Sequence, residues 1–356
     1  MLKPVEDSLK APIRAIEHAR TFVSWPWNAR LWGGHLEPAA LEYAEVIAAI
    51  AQFEPVTVIA RPGTVGPPAG VRDLAAVSVV QLELDDSWIR DNGPIFVRDD
   101  SGNVAAVRFG FNGWGEFQPV YEADARLPVH LAERLAMRLY DAPIVLEGGG
   151  ITFDGEGTAI TTESVLLNAN RNPGLGRAEV ETAICEYLGV ERVIWLARGL
   201  VEEDGETDGH SDNVVQFVRP GVVLVQMVSE RANPNWELLR ENRDRLRGVR
   251  DAAGRTLEIV EMPVLPYTTV DGRRYVVPYT NFYPVNGGVI APCVDEESDE
   301  IGLGLLGELF SDRRIVGVRS DYLAFGGGGI GCITQQLPAG TPLAPQRTVS
   351  SLAVAS

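Results

Sequence analysis

Apolar and polar positions follow two periods along this chain, one typical of helices and one of strands. We predict helices where apolar residues recur at helical spacing, over residues 38–52, 127–140, 177–188, 234–247 and 299–309. Short runs rich in β-branched and aromatic residues, such as TFVSWP and VVLVQMV, predict strands. Two or three short strands, a helix and a further strand recur about five times, which predicts a mixed α/β protein.

The sequence gives no sign of more than one domain. No segment repeats at a fixed period, and no low-complexity or Pro/Ser-rich stretch separates two parts of the sequence. We therefore expect one domain over residues 1–345. The remaining segment, 346–356, carries no helix or strand pattern, and we expect a poorly ordered tail there.

Composition narrows the possible partners. Hydrophobic residues make up 45% of the 356 positions and charged residues 22%, as in globular proteins that bury a large core. Against 49 Asp and Glu residues there are 31 Lys and Arg residues, which gives a net charge of −18. Such a surface repels nucleic acids and anionic membranes and attracts small cations. We therefore expect a small cationic ligand and neither a nucleic acid nor a membrane as partner.

Cysteine usage indicates a reducing compartment. Cys185, Cys293 and Cys332 are far apart and form no C-x-x-C pair, which argues against a disulfide framework and against a structural zinc site. The N-terminal stretch has no apolar signal segment, and no apolar run reaches the ~18 residues that a membrane span needs. We expect a cytoplasmic protein.

Four segments place polar residues among turn glycines beside predicted strands, where rigid scaffolds usually carry functional groups. They are residues 86–94, 146–150, 206–213 and 325–338. In the last of them, five glycines occupy the seven residues before Cys332. This pattern fits a flexible loop that leads a buried cysteine into a strand. It equally fits a backbone that closely approaches whatever binds beside a reactive thiol.

His210 and Asp212 alternate at the start of a predicted strand, so their side chains point to one face. Such a pair can bind zinc, but a metal needs at least one more ligand, and the other histidines lie in unrelated contexts. A cap or a local turn is the structural alternative for Asp212, as a turn is for Asp91 beside Gly93 and Pro94. Taken singly, each motif is compatible with a structural role and with a functional one.

The combined residue types favour one kind of substrate. A cysteine nucleophile needs a proton-handling partner, and histidine is the usual one. Two carboxylates near a thiol disfavour its ionisation unless the substrate brings a positive charge. A planar guanidinium group supplies that charge and has donors that match carboxylates. The set therefore indicates a guanidine substrate rather than a peptide bond, whose oxyanion would need hydrogen-bond donors.

A series of motifs spanning nearly the whole chain resembles the agmatine deiminase and bacterial peptidyl-arginine deiminase family of guanidine-modifying enzymes. In chain order the motifs are TFVSWP, LWGG, DDSWIRDNGP, FNGWG, LEGGG, TTESVLLNANRNP, ETDGHSDN, NPNWELLREN, NFYPVNGGVIAP and GCITQQLP. The resemblance implies a five-bladed α/β propeller of pseudo-repeated ββαβ modules with the site at its central axis. It also implies conversion of agmatine to N-carbamoylputrescine and ammonia, without a metal or organic cofactor, and we expect a homodimer.

The resemblance assigns roles to individual residues. Cys332 corresponds to the nucleophile and His210 to the general acid and base. Asp91 and Asp212 correspond to the carboxylates that clasp the guanidinium group. The expected mechanism passes through a covalent thiouronium intermediate on Cys332.

Further positions correspond to substrate contacts. Trp88 is expected to lie along the substrate and Glu206 to meet its distal amine. Glu147 falls where the family has another acidic site residue. Gly328 and Gly329 are expected to contact the substrate through the backbone.

Two segments depart from the family pattern. The family usually has Asn and His where this chain has Gly329 and Gly331. Its usual Pro-Ala-Glu-aromatic-x-Pro-His stretch is here residues 12–18, which keep only the first and last residues of that pattern. Both departures lie where we expect the far end of the substrate or the pocket lid to be shaped. They leave open a deiminase for another guanidine, such as a peptidyl-arginine or natural-product group, an amidinotransferase, and a non-catalytic guanidine-binding protein.

Overall fold

The computed structural model describes residues 2–345, and the predicted tail at 346–356 lies outside the described residues. The strands are β1 (His18–Ser24), β2 (Val56–Ala60), β3 (Val77–Gln81), β4 (Ile95–Arg98), β5 (Asn103–Gly110), β6 (Leu139–Val145), β7 (Ile151–Phe153), β8 (Thr158–Thr162), β9 (Arg192–Leu196), β10 (Val215–Arg219), β11 (Val222–Gln226), β12 (Glu258–Met262), β13 (Tyr267–Val270), β14 (Arg273–Val276), β15 (Tyr283–Val285), β16 (Gly288–Cys293), β17 (Arg314–Arg319), β18 (Thr334–Pro338) and β19 (Thr341–Pro342). The helices are α1 (Leu36–Ile50), α2 (Ala69–Arg72), α3 (Ile89–Asn92), α4 (Gly113–Glu116), α5 (Leu127–Arg134), α6 (Glu163–Leu166), α7 (Arg177–Leu188), α8 (Trp236–Leu246), α9 (Glu296–Leu309) and α10 (Asp321–Phe325).

The strands form five separate sheets of at least three strands and one hairpin. The sheets are β18-β1-β2-β3, β4-β5 with β6 and β19, β7-β8-β9, β10-β11-β12 and β15-β16-β17, and the hairpin is β13-β14. In each sheet an antiparallel pair is extended by a parallel strand, as in β10-β11 followed by β12. A parallel neighbour requires a crossover, and helices such as α8 and α9 provide it. The expected strand–strand–helix–strand order along the chain is therefore present in four of the five sheets.

The first sheet joins the two ends of the described chain. Its parallel strands β1 and β2 follow the N-terminal segment, but the antiparallel partner of β1 is β18, with Val23 opposite Thr334. The strand that follows Cys332 is thus held by the strand that opens the chain. The predicted mixed α/β class is confirmed, and a propeller arrangement of the five sheets stays a prediction.

Helix α1 shows how the apolar period builds the core. Tyr43, Ile47 and Ile50 recur at helical spacing and are each 0% exposed. They pack with β2 and with Trp25 and Trp32 in one apolar cluster. Both indoles lie edge-on to the Tyr43 ring, with ring centroids 6.3 and 5.9 Å away. This cluster extends to the segment around Cys332 and thereby supports it.

Not every predicted boundary is right. The helix predicted over 127–140 ends at Arg134, and strand β6 begins at Leu139. Ala136 has φ = +47°, a left-handed conformation that stops a helix, and the Met137 N–H turns back to the carbonyl of Ala132. The apolar residues of this stretch therefore belong first to a helix and then to a strand. None of the helices within residues 2–345 has the length and apolar character needed to cross a membrane.

Truncating the buried face of α1 will destabilise the fold. We expect Ile47→Ala to lower the free energy of unfolding by about 2–5 kcal/mol, because it leaves a cavity in the α1 cluster. The measurement is urea denaturation followed by tryptophan fluorescence. The control is Leu41→Ala on the same helix, where the side chain is exposed; its effect should stay within about 0.5 kcal/mol. Equal effects at the two positions would contradict the packing.

Candidate active site

Five short turns carry most of the candidate residues. Each turn lies just before the edge strand that forms the antiparallel pair of its sheet. These are α3 before β4, residues 148–150 before β7, 211–213 before β10, 279–281 before β15 and 327–332 before β18. Asp91, Asp212 and Cys332 lie on three of these turns, and His210 and Glu147 directly precede two of them. Equivalent positions in five modules thus contribute to one site.

Hydrogen bonds join the five turns in a closed ring. Its links are Gly149 N to Asp91 Oδ1 (2.9 Å), Ser211 Oγ to Gly149 O (3.3 Å), Asn281 Nδ2 to Asn213 Oδ1 (2.8 Å), Gly331 N to Asn281 Oδ1 (2.7 Å) and Arg90 N to Cys332 O (3.0 Å). Each link runs from one turn to the next, and the last returns to α3. The ring fixes the thiol, the imidazole and the carboxylates relative to one another.

Asp91 is held by two neutral donors. Its Oδ1 accepts the Gly149 N–H, and its Oδ2 accepts the indole N–H of Trp114 at 3.0 Å. The imidazole Nδ1 of His210 lies 3.8 Å from Oδ1 of Asp91. A Cβ at residue 149 would lie 2.6 Å from His210 Nδ1 and 2.8 Å from Asp91 Oδ1. Glycine at this position therefore lets the imidazole and the carboxylate approach each other.

Glu147 lies on the other side of the imidazole. Its Oε2 is 3.9 Å from Nε2 of His210, and its Oε1 accepts a hydrogen bond of 2.7 Å from Nε of Arg171. Glu147 and Arg171 are each 0% exposed at the side chain. Arg171 also forms an ion pair with Asp208 at 2.6 Å. The arginine thus balances the charge of a buried carboxylate that lies close to the imidazole.

The Cys332 thiol is 4% exposed and contacts Asn281. Nδ2 of Asn281 lies 3.4 Å from the sulfur, within hydrogen-bond distance of a thiolate. Cβ atoms at Gly329 and Gly331 would lie 2.6 and 2.8 Å from Oδ1 of Asn281. These two glycines therefore make room for Asn281 beside the thiol, and a role for them at the far end of the pocket stays a prediction.

A pocket of about 580 Å³ leads to the thiol. Its aromatic walls include Trp88, which stacks on Trp32 with ring centroids 5.7 Å apart. A Cβ at Gly326 would lie 2.5 Å from Trp32, and one at Gly328 would lie 2.4 Å from Trp88. The glycine run thus allows the backbone to pack flat against two indoles, as the close-approach interpretation predicts.

The predicted site residues fall into three groups. Trp88, Asp91, Glu206, His210 and Cys332 all line the pocket. Asp212 and Glu147 are each 0% exposed and do not line it. Gly328 lines an adjoining cavity that shares Glu206 with the pocket, and Gly329 contacts Asn281 without lining either space. In the described part of the chain, no group of three or more His, Cys, Asp or Glu side chains is arranged to hold a metal ion.

The buried carboxylates of the site raise the pKa of both the thiol and the imidazole. Burial raises the pKa of Cys332 well above its usual range, and Asp212 and Asp91 raise it further. Burial alone would lower the pKa of His210, but the buried carboxylates, led by Asp91 and Glu147, outweigh it and raise that pKa. Without a ligand, the thiol is therefore neutral and the imidazole holds its proton to a higher pH than usual.

Sequence reasoning missed three residues of this site. Trp114 and Asn281 lie in motifs already noted, FNGWG and NFYPVNGG, but neither residue type signals a role by itself. Arg14, which forms a buried ion pair with Asp212, lies in a segment far from it in sequence. The position of Asn281 before β15 is the available signal, because it corresponds to the positions of Asp91, Asp212 and Cys332 in their own modules.

Comparisons with known proteins agree on one family. Residues 12–338 match the model of the Porphyromonas-type peptidyl-arginine deiminase family. Agmatine deiminase of Pseudomonas aeruginosa is 40% identical, with 94% of this chain and 97% of that protein covered. The structure of agmatine deiminase from Enterococcus faecalis is 30% identical, covers 95% of this chain and 98% of its own, and has a TM-score of 0.89. A cysteine-to-serine variant of C. jejuni agmatine deiminase with substrate bound is 25% identical, covers 94% of this chain and 97% of its own, and has a TM-score of 0.83.

The raised pKa of the thiol has a measurable consequence. Because alkylation requires the thiolate, we expect iodoacetamide to modify Cys332 slowly at neutral pH in the free protein. The rate should keep rising as the pH passes about 8.5, the value for an ordinary cysteine. Peptide mass spectrometry follows the modification at this residue, and Cys332→Ser identifies the correct peptide. A rate that is already at its plateau below pH 8.5 would contradict the electrostatics.

Proposed function

Because the chain belongs to the Porphyromonas-type peptidyl-arginine deiminase family, we propose that it hydrolyses the guanidinium group of agmatine to N-carbamoylputrescine and ammonia. The observation that carries this proposal is the pocket itself. It brings a buried thiol, an imidazole and a carboxylate together at the end of an aromatic passage. The named relatives are agmatine deiminases, which supports the choice of substrate.

A guanidinium group meets the charge requirement of this pocket. Asp91 accepts hydrogen bonds only from the neutral Gly149 N–H and Trp114 N–H, so its charge lacks a fixed arginine partner among residues 2–345. Asp212 retains Oδ1 without a hydrogen-bond partner in the same part of the chain. A bound guanidinium group donates to these carboxylates and offsets the charges that keep the Cys332 thiol neutral. Substrate binding thus favours the thiolate.

The first half-reaction forms a covalent intermediate. The Cys332 thiolate attacks the guanidinium carbon and forms a carbon–sulfur bond. Protonated His210 donates its proton to one terminal nitrogen, the carbon–nitrogen bond breaks, and ammonia leaves. The carbon remains attached to sulfur as a thiouronium group, and His210 is left neutral.

The second half-reaction releases the product. Neutral His210 takes a proton from water as the oxygen attacks the thiouronium carbon. The tetrahedral adduct then loses its hydroxyl proton to a solvent water, the carbon–sulfur bond breaks, and the thiolate departs from a neutral ureido group. The product no longer carries the charge that the carboxylates bound, which favours its release.

The far end of the substrate selects between guanidines. Agmatine ends in an amine, whereas arginine ends in a carboxylate. Glu206 lines the pocket, is exposed, and has no hydrogen bond or ion pair through its side chain within residues 2–345. An unpaired carboxylate at this position favours an amine over a second carboxylate.

The proposal also covers the arrangement of the five sheets, the location of the protein and its oligomeric state. One turn from each of five sheets contributes to the ring around the site, which supports an arrangement of these sheets as the blades of a five-bladed propeller. We further propose one catalytic domain over residues 1–345, a cytoplasmic location and a homodimer. The reaction as written uses only side chains, substrate and water.

Replacing the nucleophile tests the covalent scheme. We expect Cys332→Ser to reduce ammonia release from agmatine by at least about 10³-fold, because the hydroxyl group is a far weaker nucleophile. Cys185→Ser on α7 is the matched control and should leave the rate unchanged. Ammonia and ureido product should form in equal amounts; amidine transfer to added glycine or lysine would instead indicate an amidinotransferase. Substantial turnover by Cys332→Ser would contradict the scheme.

Glu206 tests the amine contact. We expect Glu206→Gln to raise the KM for agmatine about tenfold, because a charged hydrogen bond contributes about 1.5–3 kcal/mol. The KM for butylguanidine, which lacks the amine, should change less than about twofold. Asp204→Asn, an exposed change in the same loop, is the control. Equal increases for both substrates would show that Glu206 does not recognise the amine.

A further inference from the structure

Arg14 places a second guanidinium group beside the proposed site. Its Nη2 donates a hydrogen bond of 2.9 Å to Oδ2 of Asp212. The side chains of Arg14 and Asp212 are 5% and 0% exposed, so the ion pair is buried. Two of their atoms, Arg14 Nη1 and Asp212 Oδ1, have no hydrogen-bond partner in the described part of the chain. The ion pair therefore occupies only one of the two carboxylate oxygens.

The backbone around Arg14 is fixed independently of this pair. Nε2 of His18 lies 2.8 Å from the carbonyl oxygen of Arg14, and Nδ1 of His18 lies 2.9 Å from Oε1 of Glu54. A Cβ at Gly331 would lie 3.2 Å from Nη1 of Arg14 and 2.8 Å from Oδ1 of Asn281. The absent side chain at Gly331 thus makes room for the guanidinium group.

Arg14 reaches Asp212 from outside the thiol pocket. It lines a separate cavity of about 310 Å³ with Arg90 and Gln335. None of these three residues lines the pocket that holds Cys332. A substrate in the pocket and Arg14 therefore do not compete for the same space.

We propose that Arg14 is a positioning residue that fixes Asp212 and neutralises its charge next to the Cys332 thiol. The kinetic consequence rests on the proposed deiminase function, whereas the electrostatic consequence belongs to the free protein. Asp212 is the charge that most opposes ionisation of Cys332, after burial itself. A cation held 2.9 Å from this carboxylate weakens its field at the sulfur, because opposite charges so close together largely cancel at a distance.

The thiol has other charged neighbours, and most of them are acidic. The acidic side chains around the site are Asp86, Asp91, Asp212, Glu147, Glu203 and Glu206. The basic ones are Arg14, Arg90, Arg171 and His210, and the Tyr43 hydroxyl is near enough to Cys332 for the charge of a thiolate to act on it. Loss of Arg14 makes this set more negative. It therefore disfavours the thiolate and strengthens the attraction for a cationic substrate.

Three variants separate charge from packing. Arg14→Met removes the charge and keeps an unbranched apolar chain, whereas Arg14→Lys retains a cation. Arg14→Met combined with Asp212→Asn removes both charges and avoids an unpaired buried carboxylate. Arg108→Met, which breaks an exposed ion pair with Asp141, is the control.

The pH dependence of iodoacetamide alkylation at Cys332 measures the thiol directly and requires no turnover. We expect Arg14→Met to raise the apparent pKa of Cys332, with alkylation about tenfold slower at a fixed pH below it. Arg14→Lys should lie close to the parent protein, and the double variant should return toward it. With agmatine, Arg14→Met should lower kcat while KM stays the same or falls.

Two results would overturn the proposal. One is an unchanged alkylation profile in Arg14→Met. The other is a shift that the double variant keeps in full, since this would trace the effect to packing. If no protein in the series releases ammonia from any guanidine, the proposed function fails, but the alkylation profiles still decide the role of Arg14.

Discussion

The ring of hydrogen bonds between five turns is the constraint on which the site depends. Its links use backbone groups and short side chains, whose reach is too small to absorb a displacement of one sheet against another. Each turn leads directly into a buried strand, so the rigidity of the sheets passes to the thiol, the imidazole and the carboxylates. A buried polar network of this kind is stable only when its members are satisfied together.

Within this ring the carboxylates differ in their partners. Glu147 has Arg171 and Asp212 has Arg14, both in buried ion pairs. Within residues 2–345, Asp91 has only neutral N–H donors and the more distant imidazole. The protein therefore balances part of its buried negative charge with its own arginines and leaves the remainder for the ligand. This incomplete balance supports the proposed cationic substrate.

The secondary structure of this protein can largely be predicted from the sequence, whereas contacts between residues far apart in the chain cannot. Helix α7 and the recurring strand–helix order follow from apolar spacing, which depends on neighbours in the chain. The end of α5 was missed because a left-handed Ala136 interrupts a continuous apolar pattern. The role of Arg14 could not be predicted from spacing, since its contact with Asp212 joins residues 198 positions apart. Asn281 was missed for a similar reason, because only the shared position before a first strand marks it.

The pairing of β18 with β1 also determines when the first sheet can be completed during folding. In the other four sheets the antiparallel pair joins strands that are neighbours in sequence, but this sheet waits for β18, near the end of the described chain. Contacts of such long separation carry the largest loop-closure cost and form late. The same strand follows closely on Cys332, so this thiol enters the candidate site only when the chain has closed on itself. A chain that is interrupted before this point lacks both the strand and the thiol, so a partly synthesised molecule cannot assemble the candidate site.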